Sequence, residues 1–160
     1  EESCRVPLLI RAPGITIPGT EVSNVPVSLI DLYTTLIDLC RLPADNRMNS
    51  TGAFLDGYSL LPLIENPKAS TWRGPKVALS LIHEPGAPNK SGAHHYSIRS
   101  KDYRYIRYNN GKEELYDHRN DPNEWNNLAT VEVEVVELHR KILQDRIEDI
   151  GKNRNRLASQ

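Results

Sequence analysis

The stretch that decides the fold is YSIRSKDYRYIRYNNGKEELYDHRNDPNEWNNLA, residues 96–129. From Tyr96 to Tyr108, aromatic and aliphatic residues recur at about every second position between arginine and lysine, as in a strand pair with one buried face. The segment Asn109-Asn110-Gly111 tolerates positive φ and predicts the turn that follows. Residues 113–116 can return antiparallel until Asp121-Pro122 ends the ladder. The pattern therefore predicts a small antiparallel sheet.

Segments on either side of this stretch supply the other elements of the predicted sheet region. Lys76–Ile82 alternates as a further strand, and residues 131–150 carry an amphipathic helical pattern. Thr130 suits the start of that helix and Gly151 the position just past its end, so the tail beyond is expected to fray. The predicted apolar stripe of the helix comprises Val131, Val135, Leu138 and Ile142, widened by Leu143, Ile147 and Ile150.

The first part of the chain has a different pattern. Val6–Ile10 is a continuous apolar run, typical of a strand covered on both faces inside an α/β layer, and such a strand needs neighbours. Residues 29–40 form an apolar helical face that we expect to be core, with Ser28 and Asp31 placed as a capping box. The segment Asp56–Ile64 predicts a short helical turn that packs through its leucines.

Composition excludes two classes of function. The 160 residues include 20 basic and 21 acidic side chains, a net charge of −1, which lacks the basic excess of a nucleic-acid-binding module. No apolar run is long enough to span a bilayer. Cys4 and Cys40 form no disulfide framework and are expected to be buried free thiols. Since the first residue is Glu and not Met, we expect the start of the chain to be a cut or a processed end.

Several blocks resemble sulfatases, in particular the iduronate-2-sulfatase-like branch. Within residues 96–129 the similar motifs are YSIR, DYRY, ELYD and DPNEWNNLA, and upstream they are RVPLLI, PG, VSLIDLYTTL and DGYSLLPLI. The resemblance implies an α+β fold, in which a small antiparallel sheet with a packed C-terminal helix follows the last strand and helix of an alkaline-phosphatase-like α/β domain. The implied divisions are 1–43 for that strand and helix, 44–75 for a connector, 76–151 for sheet plus helix and 152–160 for the tail.

The resemblance also implies hydrolysis of sulfate esters of sulfated sugars, as in glycosaminoglycan degradation. Sulfatases use a formylglycine made within a Cys/Ser-x-Pro-Ser/Ala-x-Arg motif, which neither Cys4-Arg5-Val6-Pro7 nor Cys40-Arg41-Leu42-Pro43 matches. They also hold Ca²⁺ through residues of N-terminal strand ends. We therefore expect the formylglycine and the Ca²⁺ ligands in an N-terminal catalytic region of the same protein. This chain is then assigned no catalytic or metal-ligating residue, no turnover by itself, and a secreted, periplasmic or lysosomal location.

Three histidines border a long polar loop, and loops of this kind often carry a site. His83 precedes the loop, and His94 and His95 follow it, so all three can meet at one end of the sheet. Paired histidines bind metals or contact anions. Because no cysteine or carboxylate stands at ligand spacing, contact with a sulfated sugar is favoured over metal binding, and a plain surface loop without a ligand remains open. Arg99 can clamp a sulfate bidentately, so the candidate substrate-binding residues are His83, His94, His95 and Arg99.

The other polar residues are assigned structural roles. His118 is expected in an exposed turn and His139 on a solvated helix face. Asp117, Asp121 and Glu124 lie in a corner where carboxylates accept hydrogen bonds from free backbone N–H groups. Other functions remain open at this point: a phosphodiesterase or phosphonate hydrolase of the alkaline-phosphatase-like group, a non-catalytic glycan-binding module, or a structural accessory chain.

Overall fold

The computed structural model divides the chain into two compact units, Glu1–Pro75 with Ile150–Gln160, and Lys76–Asp149. It describes residues 4–22, 25–43, 47, 52, 55–68, 72–83 and 94–158, with side chains up to residue 150. The elements in chain order are α1 (Asp31–Cys40), α2 (Leu61–Glu65), β1 (Ala78–His83), β2 (His94–Arg99), β3 (Tyr103–Arg107), β4 (Glu113–Asp117) and α3 (Val133–Ala158).

The predicted antiparallel sheet is confirmed. Its four strands lie in the order β1-β2-β3-β4, and every neighbouring pair is antiparallel. The turn between β3 and β4 places Gly111 at φ 82°, in the left-handed region, and the Tyr108 N–H donates to the carbonyl of Lys112 at 2.9 Å. Glycine enters this region without the steric cost that a Cβ would add.

The core of this unit is a single row of cross-strand neighbours beneath α3. The row consists of Leu79, Ile98, Tyr105 and Leu115, each the direct partner of the next. Its last three members are fully buried, and α3 covers the row with Val136 and Leu143. Burial of each large apolar side chain contributes about 1.5–3 kcal/mol, so the row fixes the strand register.

Helix α3 differs from the prediction in its length and in its buried face. It begins at Val133 and continues through Gly151 to Ala158, so residues 152–158 are helical instead of frayed. One glycine costs only about 1 kcal/mol relative to alanine, and the lysine, arginines and leucine that follow are good helix formers. The buried stripe is Val136, His139 and Leu143, whereas the predicted stripe residues Val131 and Leu138 are exposed.

In the first unit, α1 is held to the segment that precedes α2. The Asp31 carboxylate accepts the N–H groups of Ser28 and Tyr58, both at 2.8 Å, and the Thr35 hydroxyl accepts the Leu60 N–H at 2.9 Å. The reach of Asp31 back to Ser28 is the acidic half of the predicted capping box. These buried side chains therefore join two segments that lie about 25 residues apart in sequence.

The predicted helical turn is confirmed as α2, which packs through the buried Leu60 and Leu63. Gly57 stands where this segment meets the start of α1. A Cβ at Gly57 would lie 2.1 Å from the carbonyl oxygen of Ile30, so a larger residue would push the segments apart. Glycine is required here for close approach of two backbones.

Three predictions for the first unit are wrong. Val6–Ile10 forms no strand, and Leu9 is 89% exposed. Among the described residues of this unit no strand lies beside it, and a lone strand can neither pair its backbone groups nor bury two faces. The expected core face of α1 is also open, since Leu29, Tyr33 and Leu36 are exposed. Cys4 and Cys40 are exposed free thiols instead of buried ones.

None of the helices in the described part of the chain combines the length and the hydropathy that a membrane crossing requires.

The buried row predicts the effect of truncating its members. Ile98→Ala should lower the free energy of unfolding by about 2–5 kcal/mol, because it removes buried methyl groups and leaves a cavity under α3. The matched control is Ile82→Ala on β1, where the side chain is exposed, and it should change stability by no more than about 0.5 kcal/mol. Urea denaturation followed by circular dichroism measures both. Similar losses for the two variants would contradict the assignment of the core.

Candidate functional site

Two of the candidate residues meet at one end of the sheet. His83 ends β1, His94 begins β2, and the two are direct cross-strand partners. Their Nδ1 atoms lie 3.0 Å apart, with ring centroids separated by 4.9 Å. The rings of His94 and Tyr96, the next residue on the same face, form a T-shaped pair with centroids 6.0 Å apart. The loop between the histidines, residues 84–93, lies outside the described residues.

His95 lies at the same end of the sheet but on the other face, because successive strand residues alternate. Its ring stands edge-on to Tyr108 with centroids 5.5 Å apart, and its Nδ1 accepts the N–H of Asn109 at 3.4 Å. The three histidines therefore share one end of the sheet without sharing one face.

Arg99 stands at the opposite end of β2, about 17 Å from His94 along the strand. Its Nη1 donates to the carbonyls of Lys101 and Tyr103 at 3.1 and 3.2 Å, and also to that of Ser100. The guanidinium thus shapes the turn between β2 and β3. The structure does not bring it together with the histidines.

A polar cluster links β3 to the corner that follows β4, which comprises residues 118–128. Glu124 accepts from Arg104 through Oε2 and lies 2.8 Å from His118 Nε2 through Oε1, while Arg104 Nε donates to Ser97 Oγ at 3.0 Å. The His118 side chain is only 5% exposed. The prediction that His118 is an exposed turn residue is therefore wrong, because the corner folds back and the carboxylate of Glu124 satisfies the ring.

Glu124 also departs from its predicted capping role. Its φ of 59° lies in the left-handed region, which costs energy for a residue with a Cβ. Its two carboxylate oxygens bind side chains of β3 and of the corner, as described above. The corner conformation is thus held by a side-chain bridge that spacing alone does not reveal.

The other two corner carboxylates do accept backbone N–H groups. Asp121 accepts those of Trp125 and Asn126 at 3.1 and 2.7 Å, and these donors lower the pKa of its carboxyl. Asp117 accepts the Arg119 N–H at 3.0 Å, and the guanidinium of Arg119 is the main cause that lowers the pKa of Asp117 to about 2. Both groups stay ionised at neutral pH, which suits anchoring and not proton transfer.

His139 is buried in the core, contrary to the prediction of a solvated helix face. It is 4% exposed, its Nδ1–H donates to the Val135 carbonyl at 2.8 Å, and its Nε2 lies 3.0 Å from Ser100 Oγ. Burial lowers the pKa of the imidazole below 6.5. The error follows from the misplaced stripe, since the spacing of Val136, His139 and Leu143 already placed this histidine on the buried face.

A second polar link, missed by sequence analysis, ties the sheet to α3. Arg140 donates to both carboxylate oxygens of Glu113, at 3.0 and 2.8 Å, and the hydroxyl of the buried Tyr105 donates to the same carboxylate. Arg140 is the main cause that lowers the pKa of Glu113, while burial raises that of Tyr105. The tyrosine therefore stays protonated and serves as a hydrogen-bond donor.

A cleft of about 710 Å³ lies within the first unit. Its walls come from residues 8–22, from Val25 and Val27, and from α2 and its flanks, and the side chains include Leu8, Ile10, Ile17, Val22, Leu63 and Ile64. None of the candidate substrate-binding residues lines it. The walls are mainly aliphatic and also include Arg11, Thr16 and Thr20, so the cleft combines apolar contact with a few polar groups.

The side chains that the structure describes do not fit a calcium centre. No three His, Cys, Asp or Glu side chains among the described residues group closely enough to hold a metal ion. Hard Ca²⁺ takes six to eight oxygen ligands, and the carboxylates of the corner are engaged with arginine, histidine and backbone N–H groups. These corner carboxylates are therefore not available as ligands for Ca²⁺.

The four-stranded sheet, its covering helix and the sulfatase-like motifs define the C-terminal α+β subdomain of a sulfatase-type hydrolase. A family model described as N-sulphoglucosamine sulphohydrolase, C-terminal, matches residues 1–153. The chain belongs to this family, which confirms the resemblance to the C-terminal portion of sulfatases.

Known proteins agree with this assignment. Arylsulfatase K from Gallus gallus is 37% identical over 153 residues, which cover 90% of this chain and 26% of that protein. A solved 2-O GAG sulfatase has a TM-score of 0.67 at 25% identity, over 92% of this chain and 30% of its own. A phosphonate monoester hydrolase from Silicibacter pomeroyi has a TM-score of 0.60 at 25% identity, over 86% and 28%. The chain spans about a quarter of the length of the curated relatives it matches.

The Glu124 bridge predicts a loss of stability when its charge is removed. Glu124→Gln keeps the size and the backbone conformation but weakens the contacts to Arg104 and His118, so the free energy of unfolding should fall by about 1–3 kcal/mol. Glu137→Gln on the exposed face of α3 is the matched control and should shift it by no more than about 0.5 kcal/mol. Urea denaturation measures the difference, and equal values would argue against the bridge.

Buried His139 predicts a dependence of stability on pH. Because its pKa in the folded state lies below 6.5, the stability it contributes is present above that value and is lost as the pH falls. His139→Gln should flatten the decline of unfolding free energy between roughly pH 7 and pH 5. Asp117 titrates near pH 2 and does not interfere in this range. A variant with the slope of the wild type would show that another group causes the decline.

Proposed function

We propose that this chain is the C-terminal part of a sulfatase that hydrolyses sulfate esters of sugars and is iduronate-2-sulfatase-like. In this proposal it forms a wall of the substrate pocket and takes part in substrate recognition, and it does not supply the nucleophile. The observation that carries the proposal is the sulfatase family match over residues 1–153. The likeness to a 2-O GAG sulfatase over 92% of the chain supports a sulfated glycan as the substrate.

His83, His94 and His95 are the proposed contacts to the sugar. They share the end of the sheet where β1 stops and β2 starts, and imidazoles both donate and accept hydrogen bonds. Contacts of this type add specificity for a sulfated sugar and leave the bond-breaking step to other residues. Arg99 was a candidate for direct contact, but its guanidinium binds three carbonyls, so we propose that it acts by shaping the β2–β3 turn.

The remaining parts of the enzyme are assigned to an N-terminal catalytic region of the same protein. That region would hold the formylglycine and Ca²⁺, with their ligands outside this chain. The open apolar side chains of the first unit, among them Leu9, Leu29 and Leu36, are suited to pack against it. As a sulfatase of glycan substrates, the protein is proposed to work in a secreted, periplasmic or lysosomal location.

A phosphonate hydrolase is the second candidate function, favoured by the likeness to the enzyme from Silicibacter pomeroyi. It shares the fold, and its identity to this chain equals that of the 2-O GAG sulfatase. A glycan-binding module without catalytic activity is less well supported, because the exposed Val6–Ile10 segment is poorly suited to a self-sufficient domain.

Sugar contact predicts a selective effect on the Michaelis constant. In a protein of the relatives' full length that carries this chain, the double variant His94→Ala/His95→Ala should raise KM for a sulfated sugar much more than KM for a small aryl sulfate. A small aryl sulfate has no sugar hydroxyls to bond to these imidazoles, whereas the sugar would lose hydrogen bonds. Steady-state kinetics on both substrates measures the ratio, and equal effects would remove the case for sugar contact.

The chain alone provides a separate test. Given a chromogenic aryl sulfate and calcium, residues 1–160 should show no turnover, because no nucleophile motif is present. Robust turnover would overturn the proposal. In the full-length protein, preference for an alkyl or aryl phosphonate over every sulfate ester would favour the second candidate.

A further inference from the structure

The histidine pair at the end of β1 and β2 is a two-nitrogen site in its own right. The Nδ1 atoms of His83 and His94 face each other at 3.0 Å, and the His83 side chain is exposed. Cross-strand pairing sets the Cα positions of both residues, so their approach follows from the sheet register and needs no loop residue. The ring contact with Tyr96 further restricts His94.

The separation of the two nitrogens suits the binding of both to one metal ion. With metal–nitrogen bonds of about 2.0–2.1 Å, as for imidazole on Zn²⁺, two nitrogens 3.0 Å apart subtend roughly 90–100° at the cation. This is the angle between adjacent ligands in a tetragonal site, the geometry that Cu²⁺ and Ni²⁺ prefer with nitrogen ligands. A tetrahedral ion would need the rings to open by a few tenths of an ångström.

We propose that His83 and His94 bind a divalent transition-metal cation of the Cu²⁺ or Ni²⁺ type through their two Nδ1 atoms, with water on the remaining positions. A neutral imidazole carries one N–H, so both rings can move it to Nε2 and offer the Nδ1 lone pair. No proton then has to leave the neutral pair. Without a cation, the same two nitrogens share one N–H in a hydrogen bond, which is the competing state.

This site differs from the calcium centre that sulfatases imply. Ca²⁺ is a hard ion that takes oxygen ligands, and two imidazoles alone do not bind it. Metal binding by the pair concerns the protein without substrate, and it holds whether or not the histidines contact a sugar. Binding of metal and turnover of sulfate esters are measured separately, so one can fail without the other.

The test is calorimetric titration of the tag-free chain with Cu²⁺. The exposed thiols of Cys4 and Cys40 also bind soft and borderline metals, so both are first replaced by serine. We expect one Cu²⁺ per chain, and His83→Ala and His94→Ala should each lower the affinity at least about tenfold, since even the loss of an outer-shell partner costs that much. The matched control is His95→Ala, the neighbour on the opposite face, which should leave the affinity unchanged. Ca²⁺ should give no heat of binding.

A second measurement protects the test against misfolded variants. The electron paramagnetic resonance spectrum of the Cu²⁺ complex should show a tetragonal ion with two equivalent nitrogen ligands in the wild type and one in His83→Ala. Absence of stoichiometric binding, a loss with His95→Ala equal to that with His83→Ala, or a spectrum without two nitrogen ligands would each overturn the proposal and leave the pair as a hydrogen bond.

Discussion

The structure of the sheet unit depends on one buried row, in which Ile98, Tyr105 and Leu115 lie side by side beneath α3. Because strand side chains alternate between faces, a slip of one residue would turn this row toward solvent, so the row fixes the register of all its strands. Leu79 extends it to β1, and four residues farther along the same pair of strands His83 stands opposite His94. The geometry of the histidine pair is therefore a consequence of core packing.

Polar side chains also connect the buried row to α3. Tyr105 brings a hydroxyl into the core, and a buried donor without an acceptor is costly, so Glu113 and, through it, Arg140 of α3 become part of the same packing. At the edge strand β4, the Leu115 N–H donates to the Asn127 side chain and its carbonyl accepts the Leu128 N–H. The corner segment thus covers an edge that would otherwise offer free backbone groups to other strands.

The sequence predicted most of the sheet and part of the candidate site. Alternation and the Asn109-Asn110-Gly111 turn act locally, so strands, turn and the meeting of His83 with His94 followed from spacing. The burial of His118 and His139 did not follow from spacing. It depends on how the corner folds back and on which side of α3 faces the sheet. The buried stripe of α3 lies one residue away from the predicted one, so His139 is buried where Leu138 was predicted. The strand predicted at Val6–Ile10 is wrong for another reason. Its apolar run indicates a need for neighbouring strands, and the described residues of its unit supply none.

The two units differ in how far each buries its own apolar side chains. The sheet unit builds its own core and sets its own side-chain geometry, so the contacts proposed for it depend only on residues of the unit itself. The first unit leaves Leu9, Leu29 and Leu36 open, and exposed apolar side chains of this kind favour burial against another surface. An activity proposed to take its nucleophile from elsewhere and an apolar surface that favours a partner then have one common explanation. Under the proposed function, the N-terminal catalytic region would supply both, while the end of the sheet would contribute recognition by residues whose positions the buried row already determines.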